Sequence, residues 1–136
     1  MLVLSLAELP KLRRLHVCEE LGTGWDKIAK SCELYQLPAP KIEIYQESTK
    51  ITLYAHIPFA KMKHEDKIRA CYQHASLKQV MNEHMTNSSL RERFGLQSSN
   101  ASAISRLIKD AVDEGVITPF EPNTAPKHMK YVPCWA

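Results

Sequence analysis

None of the four cysteines, Cys18, Cys32, Cys71 and Cys134, stands in C-x-x-C spacing with another, so the sequence suggests neither a zinc ribbon nor a disulfide scaffold. Free thiols in a reducing compartment are the expectation. No apolar run approaches the roughly 18 residues that span a bilayer, and Met1 to Leu9 carries no basic leader or small-residue cleavage site. The expected setting is the cytoplasm, without a membrane partner. A large excess of one charge is also missing: 18 Lys and Arg face 15 Asp and Glu, a formal net charge of +3. That is far from the cationic balance of proteins that coat nucleic acid, so any binding to DNA must come from local placement of charge.

Catalytic patterns are absent too. No nucleophile stands with a base and an orienting group, and no pair of acids is isolated in apolar surroundings. The Walker pattern G-x-x-x-x-G-K-[ST] does not occur, which excludes a motor of that kind. Cys71 and His74 share a helical face, but two further ligands at recognisable spacing are lacking, so no metal is expected. The expectation is a chain that is not an enzyme and holds no cofactor.

What is present is concentrated in the last third. Thr86-Asn87-Ser88-Ser89 precedes Leu90-Arg91-Glu92-Arg93-Phe94, Gly95 breaks the chain, and Ser98-Ser99-Asn100 opens a run from Ala101 to Glu114. Ser or Asn at a helix start after a Gly-containing turn is the pattern of a helix-turn-helix. Within the second run, Ala103, Ile104, Leu107, Ile108, Ala111 and Val112 form one apolar stripe, which places Ser102, Arg106 and Lys109 on the opposite face. Those side chains can reach base edges and phosphates in a major groove. Any amphipathic helix also has a charged solvated side, and Asp110, Asp113 and Glu114 lie nearby, so taken alone this face reads as solvated; the surrounding helix-turn-helix pattern brings DNA contact back into consideration.

Gly115 sits where a left-handed residue ends a helix, and Val116-Ile117 begins an extended run. Pro119, Pro122 and Pro126 keep the following loop open, and Lys127 to Val132 suits a second strand with a wing tip. Lys127 and Lys130 then sit on phosphates or, equally, in solvent on an ordinary hairpin. Trp135 is expected to pack the end of the wing against the body. A helix from about Glu65 to Glu83, with Ile68, Cys71, Tyr72, Ala75, Leu77, Val80 and Met81 on its apolar side, should be the first of this unit.

Upstream, an alternating apolar pattern stops near Pro58-Phe59-Ala60-Lys61-Met62-Lys63, where a linker is expected. Leu12, Leu15 and Cys18 or Glu19 suggest a short helix ending at Gly22-Thr23-Gly24. Trp25, Ile28, Ala29, Cys32 and Tyr35 give a second helix its apolar face, stopped by Leu37-Pro38-Ala39-Pro40. Lys41 to Tyr45 and Ile51 to Ile57 alternate with period two about a turn at Gln46 to Thr49. Such a hairpin needs cover for its edges and second face, from the winged-helix part, another copy of the chain or a further segment.

Several stretches carry a resemblance. Glu19-Glu20-Leu21-Gly22-Thr23-Gly24-Trp25-Asp26-Lys27-Ile28, Tyr35 to Pro40 and Ile51-Thr52-Leu53-Tyr54 resemble the C-terminal part of transcriptional regulators related to the RecG ATP-dependent DNA helicase. Met85 to Gly95 and Lys130 to Ala136 are similar to the winged-helix tail of the same proteins. The resemblance runs from about Leu12 onward, while Met1 to Pro10 departs from it. It implies a fragment: the end of an ATPase-like domain of the histidine-kinase and gyrase type over residues 1–59, then a winged helix over 60–136. The Asn-bearing helix and Asp-containing glycine loop that hold magnesium and adenine in that fold are absent. Gly22 and Gly24 are therefore read as a tight helix connection in preference to a phosphate site.

The expected fold is α+β, a helix-helix-β-hairpin remnant followed by a winged helix-turn-helix. The expected function is DNA binding in transcriptional regulation, with double-stranded DNA as partner and a homodimer suited to two half-sites. Contacts are assigned to Ser99, Asn100, Ser102, Arg106 and Lys109 on the groove helix, and to Lys127 and Lys130 on the wing. Ser88 and Ser89 are expected to cap the preceding helix and meet phosphate through backbone N–H groups. The alternative is an interaction or dimerisation module whose winged helix leaves DNA untouched. From Thr86 onward six Lys or Arg face only five Asp or Glu, a near-neutral balance that favours it.

Overall fold

The computed structural model describes the backbone of Leu2–Ser5 and all of residues 24–136. The first expected helix, around Leu12 to Glu19, and Gly22-Thr23 of the glycine turn lie outside the described residues. The chain is mixed α+β and divides into two compact units, Met1–Ile57 and Pro58–Ala136.

In the first unit, helix α1 (Gly24–Leu34) follows strand β1 (Leu2–Ser5) in the described order and buries Ala29 and Cys32. Gln36 takes the left-handed conformation at φ 54°, while Leu37 N–H donates to the Cys32 carbonyl (2.9 Å) and Gln36 N–H to that of Glu33 (3.2 Å). This pair of bonds closes the helix as a Schellman cap. Tyr35 consequently falls in the terminating turn, off the apolar stripe, and is 66% exposed; Trp25, in the first turn, is 37% exposed. Both were expected to belong to the buried face.

Strands β2 (Lys41–Ile44) and β3 (Ser48–Thr52) form an antiparallel hairpin with Ile42 opposite Ile51 and Glu43 opposite Lys50. The second strand starts three residues earlier than expected and stops at Thr52. The turn explains the shift: Tyr45 N–H donates to the Ser48 carbonyl (2.8 Å), so Ser48 and Thr49, expected in the turn, already pair. Glu43 receives Lys41 at 3.1 Å and Lys50 at 3.4 Å. The hydrogen bond from Lys41 and the nearby Lys50 hold its carboxyl below the usual carboxylate range. β1 pairs antiparallel with the other edge of β3, giving the order β1-β3-β2. The hairpin thus finds cover for one edge from the chain's own first residues, a source the sequence did not suggest.

The second unit opens with a 3-10 turn at Phe59–Lys61 and helix α2 (His64–Val80), which buries Ile68, Ala70, Cys71, His74 and Ala75. Asn82, at φ 59°, ends it through bonds from Glu83 N–H to the Lys78 carbonyl (2.8 Å) and from Asn82 N–H to that of Gln79 (3.0 Å). Val80 and Met81, expected on the apolar side, are 71% and 58% exposed: Val80 follows Cys71 by nine residues and so stands on the opposite side of the helix, and Met81 lies in the terminating turn. Helix α3 (Asn87–Arg93) and helix α4 (Ala101–Asp113) follow, then an antiparallel ribbon of β4 (Ile117–Pro119) and β5 (Tyr131–Pro133). Met85 adds a bridge to Tyr131 just before α3.

The core of this unit joins all three helices to the ribbon. Leu90, Ile104, Leu107, Ile108 and Ala111 are buried with Ile117, Val132 and Met85. Between α2 and α3, His74 Nε2 lies 3.1 Å from Ser89 Oγ, and Cys71 Sγ 3.9 Å from Met85 Sδ. At the chain's end Pro133 is fully buried, whereas Trp135 is 55% exposed, contrary to the expected packing.

Candidate functional site

The site begins with how α3 is held. Thr86 is its N-cap: Thr86 Oγ1 accepts from Ser89 N–H (3.1 Å), and Thr86 N–H donates back to Ser89 Oγ (3.0 Å). This reciprocal box satisfies two donors that a helix start leaves open. The cap is therefore Thr86, not Ser88 or Ser89, and Ser89 spends its own N–H and hydroxyl on it. Ser88 remains exposed on the first turn.

Gly95 (φ 65°) ends α3 with the same pair of bonds, from Leu96 N–H to the Arg91 carbonyl (2.9 Å) and from Gly95 N–H to that of Glu92 (3.0 Å). A 3-10 turn at Ser98–Asn100 then delivers the chain into α4. Ser99 is exposed in that turn, and Asn100 is half-buried and makes no side-chain cap. The two helices are tied by Asn87. Its amide nitrogen donates to the Ala101 carbonyl (3.0 Å) and to Ser105 Oγ (2.9 Å), and its oxygen accepts from Arg91 Nε (2.9 Å). The turn between the helices is thereby braced from inside.

With Ile104, Leu107, Ile108 and Ala111 buried, α4 turns Ser102, Arg106 and Lys109 outward, all exposed as expected. Asp113, also exposed, occupies the C-terminal end of the same side. Asp110 and Glu114 lean another way: His64 Nε2 of α2 lies 4.0 Å from Asp110 and 3.4 Å from Glu114. Two of the three acids that counted against this face thus lie beside a different helix.

Next to that face, α3, α4 and the loop between β4 and β5 enclose a cleft of about 740 Å³. Arg91, Lys127, His128 and Lys130 supply its basic groups, and no carboxylate lines it. Ser88, Asn87 and Ser105 supply amide and hydroxyl groups, while Ala101, Ile108, Met129 and Tyr131 supply apolar surface. Lys127 belongs to a 3-10 turn at Pro126–His128, not to a strand; β5 begins only at Tyr131. Burial, and secondarily the nearby Cys71 thiol, raise the Tyr131 phenol above its ordinary value.

The structure therefore separates the nine residues singled out in the sequence. Ser88, Lys127 and Lys130 meet in the cleft; Ser102, Arg106 and Lys109 share the outer side of α4; Ser99 and Asn100 stand at its entry; Ser89 is consumed in a cap. Asn87, Arg91, Ser105 and Tyr131 were missed. Arg91 stands four residues after Asn87 on α3, a spacing at which helical side chains meet, and that signal was available.

Among the described residues no group of three His, Cys, Asp or Glu side chains is placed to hold a metal ion. No described helix is long and apolar enough to cross a membrane. No family model, curated protein or solved structure matches the chain.

Proposed function

We propose that the second unit is a winged helix that binds double-stranded DNA in transcriptional regulation, with α4 docking in the major groove and the β4–β5 loop acting as the wing. The observation that carries this reading is the pairing of the outer side of α4, with Ser102, Arg106 and Lys109, to an adjoining cleft that holds Arg91, Lys127 and Lys130 and no acid. Side chains on the helix supply base contacts, and cations beside it fix register on the phosphates. The order of elements, three helices followed by an antiparallel ribbon, and the resemblance to RecG-related regulators support it. Binding as a homodimer to two half-sites would follow the symmetry common to such readers. The reading involves neither catalysis nor a cofactor, and it sets the chain in the cytoplasm.

Replacing Arg106 and Lys109 together by Ala tests the docking face. Loss of two such contacts should weaken duplex binding by about tenfold or more, measured by fluorescence anisotropy. Unchanged affinity would remove the outer side of α4 from the interface.

A second reading, an interaction or dimerisation module that leaves DNA untouched, is favoured by one observation: six cationic against five acidic side chains from Thr86 to the end, with Asp113 on the outer side of α4 itself.

A further inference from the structure

We propose that the cleft between α3, α4 and the β4–β5 loop binds a small organic anion, a carboxylate or a phosphate monoester on an apolar body about the size of one ring, and that this ligand excludes DNA from Lys127 and Lys130. The exclusion rests on the DNA reading; the binding itself does not.

The lining holds both kinds of group that such a ligand requires. Arg91, Lys127 and Lys130 bring positive charge into it, and Ile108, Met129 and Tyr131 bring apolar surface. Pockets for small molecules combine a mostly apolar wall with a few placed polar groups, in volumes of about 300–1,000 Å³. This cleft, at about 740 Å³, falls inside that range. A duplex backbone would use the cations alone and leave the apolar surface without a partner, whereas an apolar anion uses both.

Arg91 is the group best prepared for an anion. Its Nε is engaged by Asn87 Oδ1 at 2.9 Å, and Asn87 is itself fixed by Ala101 and Ser105. The guanidinium is thus held in place before a ligand arrives, which leaves its terminal nitrogens to form the paired bonds that carboxylates and phosphates accept. Preorganisation of this kind lowers the entropy lost on binding. With no carboxylate in the lining, a bound anion meets no like charge there.

The test uses the full chain and four probes: phenyl phosphate, benzoate, inorganic phosphate and the neutral ring benzyl alcohol, followed by calorimetry and thermal shift at fixed ionic strength. Phenyl phosphate, benzoate or both should bind at millimolar concentration and raise the melting temperature; their ranking tells whether the phosphate or the carboxylate is preferred. Benzyl alcohol should not bind. Inorganic phosphate should bind about tenfold more weakly, since it cannot use the apolar surface. Arg91→Ala, and separately the exposed pair Lys127→Ala with Lys130→Ala, should each weaken the ring anions by about tenfold. Binding of inorganic phosphate as tight as that of the ring anions, full affinity in the double lysine variant, or no binding of either ring anion would overturn the site. Added phenyl phosphate or benzoate should lower duplex affinity; an unmoved duplex affinity would overturn the exclusion. Ring-anion binding by a protein that fails to bind any duplex would keep the site and discard the DNA reading.

Discussion

The amide of Asn87 donates to Ser105 Oγ at 2.9 Å, joining the first turn of α3 to the second turn of α4, and the same nitrogen reaches the Ala101 carbonyl at 3.0 Å. This single side chain fixes the geometry between the two helices and, through its oxygen, the position of Arg91. Asn87→Ala removes three hydrogen bonds at a half-buried site and should cost about 1–3 kcal/mol, read from the urea midpoint. A loss below about 0.5 kcal/mol would mean that water replaces all three partners.

The capping box distinguishes two neighbouring hydroxyl residues. Thr86→Ala should destabilise the second unit by about 1 kcal/mol, because Ser89 N–H loses its acceptor. Ser88→Ala, at an exposed position on the same turn, should stay within about 0.5 kcal/mol of the parent in the same denaturation series. Equal effects of the two would refute the assignment of the cap.

Gly115 ends α4 at φ 73°, with room around it: a Cβ there would meet nothing within 4 Å. Gly115→Ala should therefore cost about 1–2 kcal/mol from backbone conformation alone, without a steric clash. Asn82→Gly, at the corresponding end of α2, should be neutral or stabilising, since Asn82 already occupies the left-handed region at φ 59°.

Tyr131 gives the second unit an alkaline limit. Its phenol is raised above the ordinary value of about 10 by burial first and by Cys71 second, so the folded state keeps the proton longer than the unfolded chain. The associated stability is fully present below the unfolded value and disappears as pH rises through the raised one. Denaturation midpoints should fall above about pH 10, and part of that fall should vanish in Tyr131→Phe. An identical alkaline profile in the variant would assign the loss to other groups.

How far the sequence could be read depended on whether the determining forces were local. The stripe of Ile104, Leu107, Ile108 and Ala111 and the stop at Gly115 are written within one helix, and α4 appears almost where its pattern places it. Helix α2 was read too long because Val80 and Met81 prolong the apolar pattern, while the stop lies in the left-handed conformation of Asn82, a residue that less often marks a helix end than glycine. Strand β3 was misplaced because its register follows from a tight turn at Tyr45 and Ser48 and not from the alternation of Ile51 to Ile57. The edge strand Leu2–Ser5 has no signal beyond its apolar residues, since its partner lies more than forty positions away. The cleft had the same difficulty: Lys127 and Lys130 could be named as basic, and Arg91 was signalled by its spacing from Asn87, but the tie from Asn87 to Ser105 exists only once the two helices converge.

The central claim is that the second unit holds duplex DNA through cations on α4 and its neighbouring cleft. The most direct measurement is the anisotropy of a labelled random duplex titrated with the protein at a series of salt concentrations. Contacts to several phosphates should weaken binding by at least about tenfold between 50 and 200 mM salt. No binding at the lowest salt, or binding that does not change with salt, would contradict the claim and leave the interaction module as the reading of this chain.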